Sequence, residues 1–110
     1  MHIIVTVNFV SARIDRAKIV DYLLGSSSVA AVGKARFFGS MGFTVARWEE
    51  LAEALRQQAT HSSVTTKGSE WGTKYVATGL IDAPNGRRYK IASVWIDDGT
   101  GLRLVTAHPA

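Results

Sequence analysis

Two turn signals in the last third of the chain constrain its fold more than any other feature. Pro84-Asn85-Gly86 separates two β-rich runs, and Asp97-Asp98-Gly99-Thr100-Gly101 separates the second run from a third. Asn-Gly and Asp-Gly pairs tolerate the positive φ of tight hairpin turns. Because short connections require antiparallel neighbours, the sequence predicts a three-stranded meander with strands over 74–81, 88–96 and 102–107.

The first half of the chain has helical periodicity. Helices are predicted over 15–24, with Asp15 as N-cap, over 29–40 and over 48–59. The third helix has an apolar stripe of Trp48, Leu51, Ala52 and Leu55. Residues 60–73 are predicted to be the longest irregular connection, and residues 3–9 a short strand or an extended arm.

Helices followed by a meander indicate an α+β fold, with N-terminal helices packed on a C-terminal antiparallel β-meander. One sheet face is then covered and the other is left open. The 110 residues suit a single domain spanning 1–110, with a helical half over about 15–60 and a sheet half over about 74–108.

Composition excludes several classes of protein. The chain has no cysteine, so disulfides, thiolate metal sites and a cysteine nucleophile are excluded. Its three histidines are too scattered to indicate a metal site, and we expect no cofactor. No signal peptide or membrane span is evident, and we expect a soluble, cytoplasmic protein. The net charge of +4 mildly favours acidic partners such as nucleic acid, although it also fits a plain basic domain.

Basic, hydroxyl and aromatic residues near the predicted sheet are the candidates for chemistry. They are Lys74, Tyr75, Arg88, Lys90, Arg103, Thr106 and His108. Cleavage of RNA by its own 2′-hydroxyl needs a base, an acid and cations that stabilise the phosphorane. His108 has a suitable intrinsic pKa for acid or base. Arg103 or Lys74 can clamp phosphate, and Tyr75 or Thr106 can donate to a phosphate oxygen.

Strand alternation conflicts with part of this set. In a regular strand, Arg103 shares a face with Val105 and Ala107, whereas Thr106 and His108 lie on the other face. Lys74 and Tyr75 also point in opposite directions. Each residue has an ordinary alternative role: Arg103 as a solvated cation, and His108 as part of a frayed terminus.

Several short motifs, taken in order, resemble a family. They are Tyr22-Leu23-Leu24, Gly33-Lys34-Ala35-Arg36-Phe37-Phe38, Met41-Gly42-Phe43, Gly72-Thr73-Lys74-Tyr75, Pro84-Asn85-Gly86-Arg87, Val94-Trp95-Ile96 and Arg103-Leu104-Val105-Thr106-Ala107-His108-Pro109. This order resembles a small bacterial domain family of unassigned function. It is similar to polymorphic-toxin ribonuclease domains of the barnase, EndoU, colicin and RelE-like group. The resemblance covers about residues 14–109.

The resemblance implies a metal-independent endoribonuclease toxin that a small cognate antitoxin or immunity protein neutralises. It matches Lys34, Lys74, Tyr75, Arg103 and Thr106 to positions that line the RNA-cleaving face in that class. The catalytic candidates are then Lys74, Tyr75, Arg103, Thr106 and His108. The candidates for substrate binding are Lys34, Arg88 and Lys90. One departure stands out, because relatives carry a His-Pro-x-Gly-type segment where this chain has Ser28-Val29-Ala30-Ala31. If that histidine is catalytic in relatives, His61 or His108 has to replace it.

Two alternatives remain on the same fold: a non-enzymatic RNA- or protein-binding module, and an inactive family member. Aromatic residues stacked on an open sheet would favour the binding module. Alternation instead places Tyr89, Ile91 and Trp95 on one face, which favours a core role. A buried Arg103 paired with a carboxylate would favour the inactive member.

Overall fold

A computed structural model describes residues 7–26 and 28–110 of the chain, without the side chain of Ala30. The elements are a π-helical segment (Lys18–Leu23), α1 (Val29–Ser40), a 3₁₀ turn (Val45–Arg47), α2 (Trp48–Thr60), β1 (Ser63–Ser69), β2 (Gly72–Asp82), β3 (Arg88–Asp97) and β4 (Leu102–Pro109). The fold is α+β, with an antiparallel four-stranded sheet of order β1-β2-β3-β4. Most of the predicted arm at residues 3–9 lies outside the described residues, and residues 7–9 form no strand.

The sheet has one strand more than the sequence predicted. Residues 63–69, predicted to be irregular, form β1 and pair with β2 over its first seven residues. This strand was missed because only Val64 is part-buried, so its sequence lacks the apolar alternation that marks a half-buried strand. The two predicted turns are present, with Gly86 at φ 83° and Gly99 at φ 96°.

Local signals explain the helical elements. The Ser28 hydroxyl caps α1 by accepting from the Ala31 N–H at 3.1 Å, and Thr44 caps the 3₁₀ turn by accepting from the Arg47 N–H at 3.3 Å. The first predicted helix is π-helical over most of its length, since the Leu24 N–H donates to the Ile19 carbonyl at 2.8 Å. Asp15 does not act as its side-chain cap.

The core lies between α2 and one face of the sheet, which we call the core face. Leu51, Leu55 and Ala59 of α2 pack there against Trp95 and Ile91 of β3. The π-helical segment contacts β4, α1 and α2, and contributes Ile19 and Leu23 to the core. The outer edge of β4 pairs with the strand-like residue Arg13, whose N–H donates to the Leu102 carbonyl at 2.8 Å. Within the described residues, no helix is long and apolar enough to span a membrane.

Candidate functional site

The strand register defines a second face of the sheet, which we call the open face. Directly opposed residues of antiparallel strands project from the same side, so the pairings order this face into rows. The cation row contains Lys67, Lys74, Ile96 and Arg103; the hydroxyl row contains Thr65, Val76, Val94 and Thr106; and the histidine row contains Ser63, Thr78, Ala92 and His108. Successive rows are about 7 Å apart, because a strand rises about 3.3 Å per residue.

The cation row concentrates positive charge at one end of the open face. Lys67 and Lys74 are direct cross-strand partners, and both are exposed. Two like charges in this position destabilise a sheet pair, and Arg103 adds a third cation in the same row. The sequence did not single out Lys67, because its strand was not predicted. An anionic ligand that bridges these cations would relieve their repulsion.

A β-bulge in β4 removes the conflict that regular alternation predicted. Val94 pairs with Thr106, but the next residue of β3, Trp95, pairs with Leu104, so Val105 is an extra residue. The extra residue shifts the alternation by one position. Arg103 and His108 therefore project from the same face, and the prediction that they could not is wrong for this irregular strand.

Thr106 links the open face to the helical half of the chain. Its hydroxyl donates to the hydroxyl of Tyr22 at 3.4 Å. The Lys34 ammonium, on α1, lies 5.3 Å from the centroid of the Tyr22 ring, and the Lys18 ammonium lies 5.1 Å from it. Two of the predicted residues, Lys34 and Thr106, thus meet at Tyr22. No site role was predicted for Tyr22 or Lys18.

The tautomer of His108 follows from its one hydrogen bond in the structure. Its Nδ1 lies 3.0 Å from the carbonyl oxygen of Pro109, in an exposed position. A carbonyl only accepts hydrogen bonds, so Nδ1 carries a hydrogen, and in the neutral form of the ring the lone pair is on Nε2. His108 is therefore arranged to accept a proton at Nε2, one row away from Thr106.

Arg103 is paired with a carboxylate but is not buried. Its Nε lies 3.6 Å from an Asp98 oxygen, and 36% of its side chain is exposed. The hydroxyl and the N–H of Thr100 hold the pKa of Asp98 below its ordinary value, and Arg103 adds to this effect. The other guanidinium donors of Arg103 remain for a ligand.

The two remaining basic candidates lie at the opposite end of the open face. Lys90 pairs with Leu80, and Arg88 pairs with Asp82. The Nε of Arg88 lies 2.8 Å from the Asp82 carboxylate. Arg88 is eight residues along β3 from Ile96 of the cation row, or about 27 Å. The structure therefore does not bring Arg88 and Lys74 to a single phosphate.

The aromatic residues of the strands belong to the core face. Trp95 is fully buried, and Tyr75 and Tyr89 pack against the core cluster. Tyr75 thus points away from Lys74, as alternation predicted. No base-stacking platform is formed by these three residues on the open face, although the exposed Trp71 lies in the β1–β2 turn next to the cation row.

A broad groove lies between α2 and the edge of β2 that extends beyond β1. It is lined by α2, by His61 and by the end of β2 around residues 79–82, and its charged side chains are Glu50, Glu53, Asp82 and Arg88. The three carboxylates outnumber the one arginine, which is already paired with Asp82, so the groove repels a polyanion and we place the candidate site on the open face. Among residues 7–26 and 28–110, no group of three or more His, Asp or Glu side chains is arranged to hold a metal ion.

Comparisons with known proteins give a family and a fold. The family model described as "Domain of unknown function (DUF6883)" matches residues 7–110. The fold is similar to one chain of the solved structure described as "Contact-dependent growth inhibition toxin - immunity protein complex from Klebsiella pneumoniae 342". The TM-score is 0.71 at 18% identity, over 93% of this chain and 96% of that chain. No curated protein matches.

Proposed function

The chain belongs to the DUF6883 family, and we propose that it is a toxin domain that cleaves RNA without a metal ion. The observation that carries this proposal is the open face, where Lys67, Lys74 and Arg103 form one row beside Thr106 and His108. The hydroxyl row lies about 7 Å from the cation row on one side and about 7 Å from the histidine row on the other, so a phosphodiester over Thr106 would have cations on one side and a proton acceptor on the other. The fold shared with one chain of a toxin–immunity complex supports the toxin assignment.

Each group has a role in the proposed reaction. Neutral His108 takes the 2′-hydroxyl proton at Nε2, and the 2′ oxygen attacks phosphorus. Arg103 and Lys74 stabilise the negative charge of the phosphorane, with arginine able to donate two parallel hydrogen bonds. Thr106, whose hydroxyl donates to Tyr22, holds that phenol at the edge of the open face. Lys67 contacts the neighbouring backbone phosphate, because it lies at the far end of the same row.

The charge distribution also separates this proposal from the other partner of such a complex. A toxin that acts on RNA needs a cationic surface, and its immunity protein needs a complementary acidic one. The chain has a net charge of +4 and presents its cations on the open face. We therefore propose that it is the toxin partner, that it acts in the cytoplasm, and that a small acidic immunity protein covers the cation row.

The two alternatives have less support in the structure. A binding module that stacks bases would need the strand aromatics on the open face, yet they pack on the core face. An inactive member would have a buried, fully paired Arg103, yet a third of this side chain is exposed and only its Nε approaches Asp98.

Induction of the chain in a bacterial culture, with total RNA analysed on a gel, tests the proposal. Wild type is compared with Arg103→Ala and with Arg88→Ala, which removes an arginine from the same face but from the opposite end. We expect growth arrest and RNA fragments with wild type and Arg88→Ala, and neither with Arg103→Ala. Intact RNA with well-expressed, folded wild type would contradict the proposal and favour a binding or inactive domain.

A further inference from the structure

Three elements of the chain converge on the phenol of Tyr22. The residue lies on the π-helical segment, where Lys18 is four residues before it, and α1 brings Lys34 to the same ring. β4 brings the Thr106 hydroxyl to the phenol oxygen. The charged groups that face Tyr22 from these elements are thus both ammonium groups.

This environment makes ionisation of Tyr22 easier than that of a solvated phenol. The Thr106 hydrogen bond lowers the pKa of Tyr22; partial burial raises it; and Lys34 and Lys18 lower it further, for a net shift below the ordinary value. Cations near an aromatic ring are also attracted to its face. A phenol in this position loses its proton more readily than a solvated one.

The proton of Tyr22 is available to a ligand. In the Thr106 hydrogen bond, the phenol oxygen is the acceptor, so its own hydrogen is not used there. Within residues 7–26 and 28–110, the Tyr22 hydroxyl donates no hydrogen bond to another side chain or carbonyl. Thr106 itself lies on the open face, between the cation row and the histidine row.

We propose that Tyr22 is the general acid of the RNA-cleavage reaction and that Lys18 and Lys34 stabilise the phenolate it leaves. This inference rests on the proposed function. The position of Thr106 carries it, because the hydrogen bond brings the phenol within one row of His108, the proposed base.

The proton and electron transfers balance. His108 removes the proton from the 2′-hydroxyl, and a bond forms between the 2′ oxygen and phosphorus. The bond from phosphorus to the 5′ oxygen breaks, and its electron pair stays on that oxygen, which takes the phenolic proton of Tyr22. The products are a 2′,3′-cyclic phosphate and a 5′-hydroxyl. Exchange with water then restores the protons of Tyr22 and His108.

A substrate with a better leaving group tests this role directly. The cut made by wild type is first mapped in total RNA, and an oligoribonucleotide spanning it is synthesised with either oxygen or sulfur at the bridging 5′ position. A thiolate leaves without protonation, so it needs no general acid. Tyr22→Phe keeps the aromatic ring beside Lys18 and Lys34 but has no proton to donate, and His108→Ala removes the proposed base.

We expect Tyr22→Phe to cleave the oxygen substrate at least about 100-fold more slowly than wild type, the low end for loss of an acid–base group. On the sulfur substrate it should be nearly as fast as wild type, whereas His108→Ala should be slow on both. An equal loss on the two substrates, or no loss on either, would overturn the role of Tyr22 and leave the proposed function intact. Failure of wild type to cleave any RNA would overturn both.

A second measurement does not depend on cleavage. Ultraviolet titration of wild type minus Tyr22→Phe reports the ionisation of this one tyrosine among the three in the chain. We expect the pKa of Tyr22 to lie below its ordinary value, and Lys34→Gln to raise it. Ionisation at or above the ordinary value would contradict the arrangement of charges from which the acid role is inferred.

Discussion

Polar side chains on the two faces of the sheet are satisfied in different ways. On the core face, Gln58 of α2 accepts from the Ser93 hydroxyl at 2.6 Å and donates to the carbonyls of Ala77 at 3.0 Å and Ile91 at 3.3 Å. Ser93 in turn accepts from the Trp95 indole N–H at 2.8 Å. Every buried side-chain nitrogen or oxygen among the described residues has a partner. These polar groups are therefore already hydrogen-bonded within the fold.

On the open face, by contrast, the cations are placed against one another. Lys67 faces Lys74, and the Asp98 contact with Arg103 is a long one at 3.6 Å. Completed polar networks fix a core, whereas like charges brought together weaken the sheet unless something else binds them. The core face therefore contributes stability, whereas the open face holds the like charges on which the proposed function rests.

The largest effect is expected from a variant that breaks the hydrogen-bond network on the core face. Gln58→Leu leaves the Ser93 hydroxyl and two buried carbonyls without their partner, so we expect a loss of about 2–4 kcal/mol in the free energy of unfolding. Urea unfolding measures it. Gln57→Leu is the matched control, because Gln57 is exposed and its side chain bonds only to Glu53; this variant should lose less than about 0.5 kcal/mol. Similar losses in the two variants would remove the special status of the Gln58 network.

The second prediction concerns the cation row. Lys67→Ala with Lys74→Ala should weaken binding to single-stranded RNA and reduce the slope of log K against log salt by about 1.4, or about 0.7 for each lost phosphate contact. The same double variant should unfold no more easily than wild type, because a like-charge pair is removed. Binding titrations at several salt concentrations measure the slope, with Arg87→Ala in the β2–β3 turn as control. An unchanged slope would show that RNA does not bind along this row.

A smaller effect is expected from Asp98 at acid pH. Its pKa is lowered mainly by Thr100 and also by Arg103, so its contribution to stability is present above the ordinary carboxyl pKa and is lost as pH falls through the lowered value. Asp98→Asn should therefore flatten the acid side of the stability curve, measured by urea unfolding at a series of pH values. Thr100→Val should flatten it in part. If both variants gave the same dependence of unfolding free energy on pH as wild type, Asp98 would not be the cause of the acid loss of stability.

The smallest effect is expected at the far end of the open face. Arg88 and Asp82 form an exposed ion pair, with side chains 69% and 81% exposed, and such pairs contribute about 0–1 kcal/mol. Arg88→Ala should change RNA cleavage less than about twofold, because Asp82 already neutralises this charge and the cation row is about 27 Å away. A cleavage assay beside Arg103→Ala measures the difference. A large loss in Arg88→Ala would move the substrate path to this end.

The sequence predicted the elements whose pattern is set by local chemistry. The turns at Gly86 and Gly99, the span of α1 and the core role of Trp95 follow from turn preference and periodicity. β1 was not predicted, because an edge strand held by hydrogen bonds to one neighbour needs no apolar alternation. The predicted separation of Arg103 and His108 onto opposite faces was wrong because it assumed a regular strand, and a bulge depends on tertiary pairing. Tyr22 was missed because its partners come from elements far apart in the chain.

The bulge has a consequence for insertions and deletions. A one-residue deletion in a regular strand turns every following side chain to the opposite face. Deleting Val105 would instead leave Leu104 and Thr106 opposite their present partners, Trp95 and Val94, because Val105 has no partner of its own. β4 can thus be shortened by one residue at the bulge while Arg103, Thr106 and His108 stay on the same face of the sheet. Deleting Ala107 would instead turn either Thr106 or His108 to the opposite face, because the extra residue lies before Thr106.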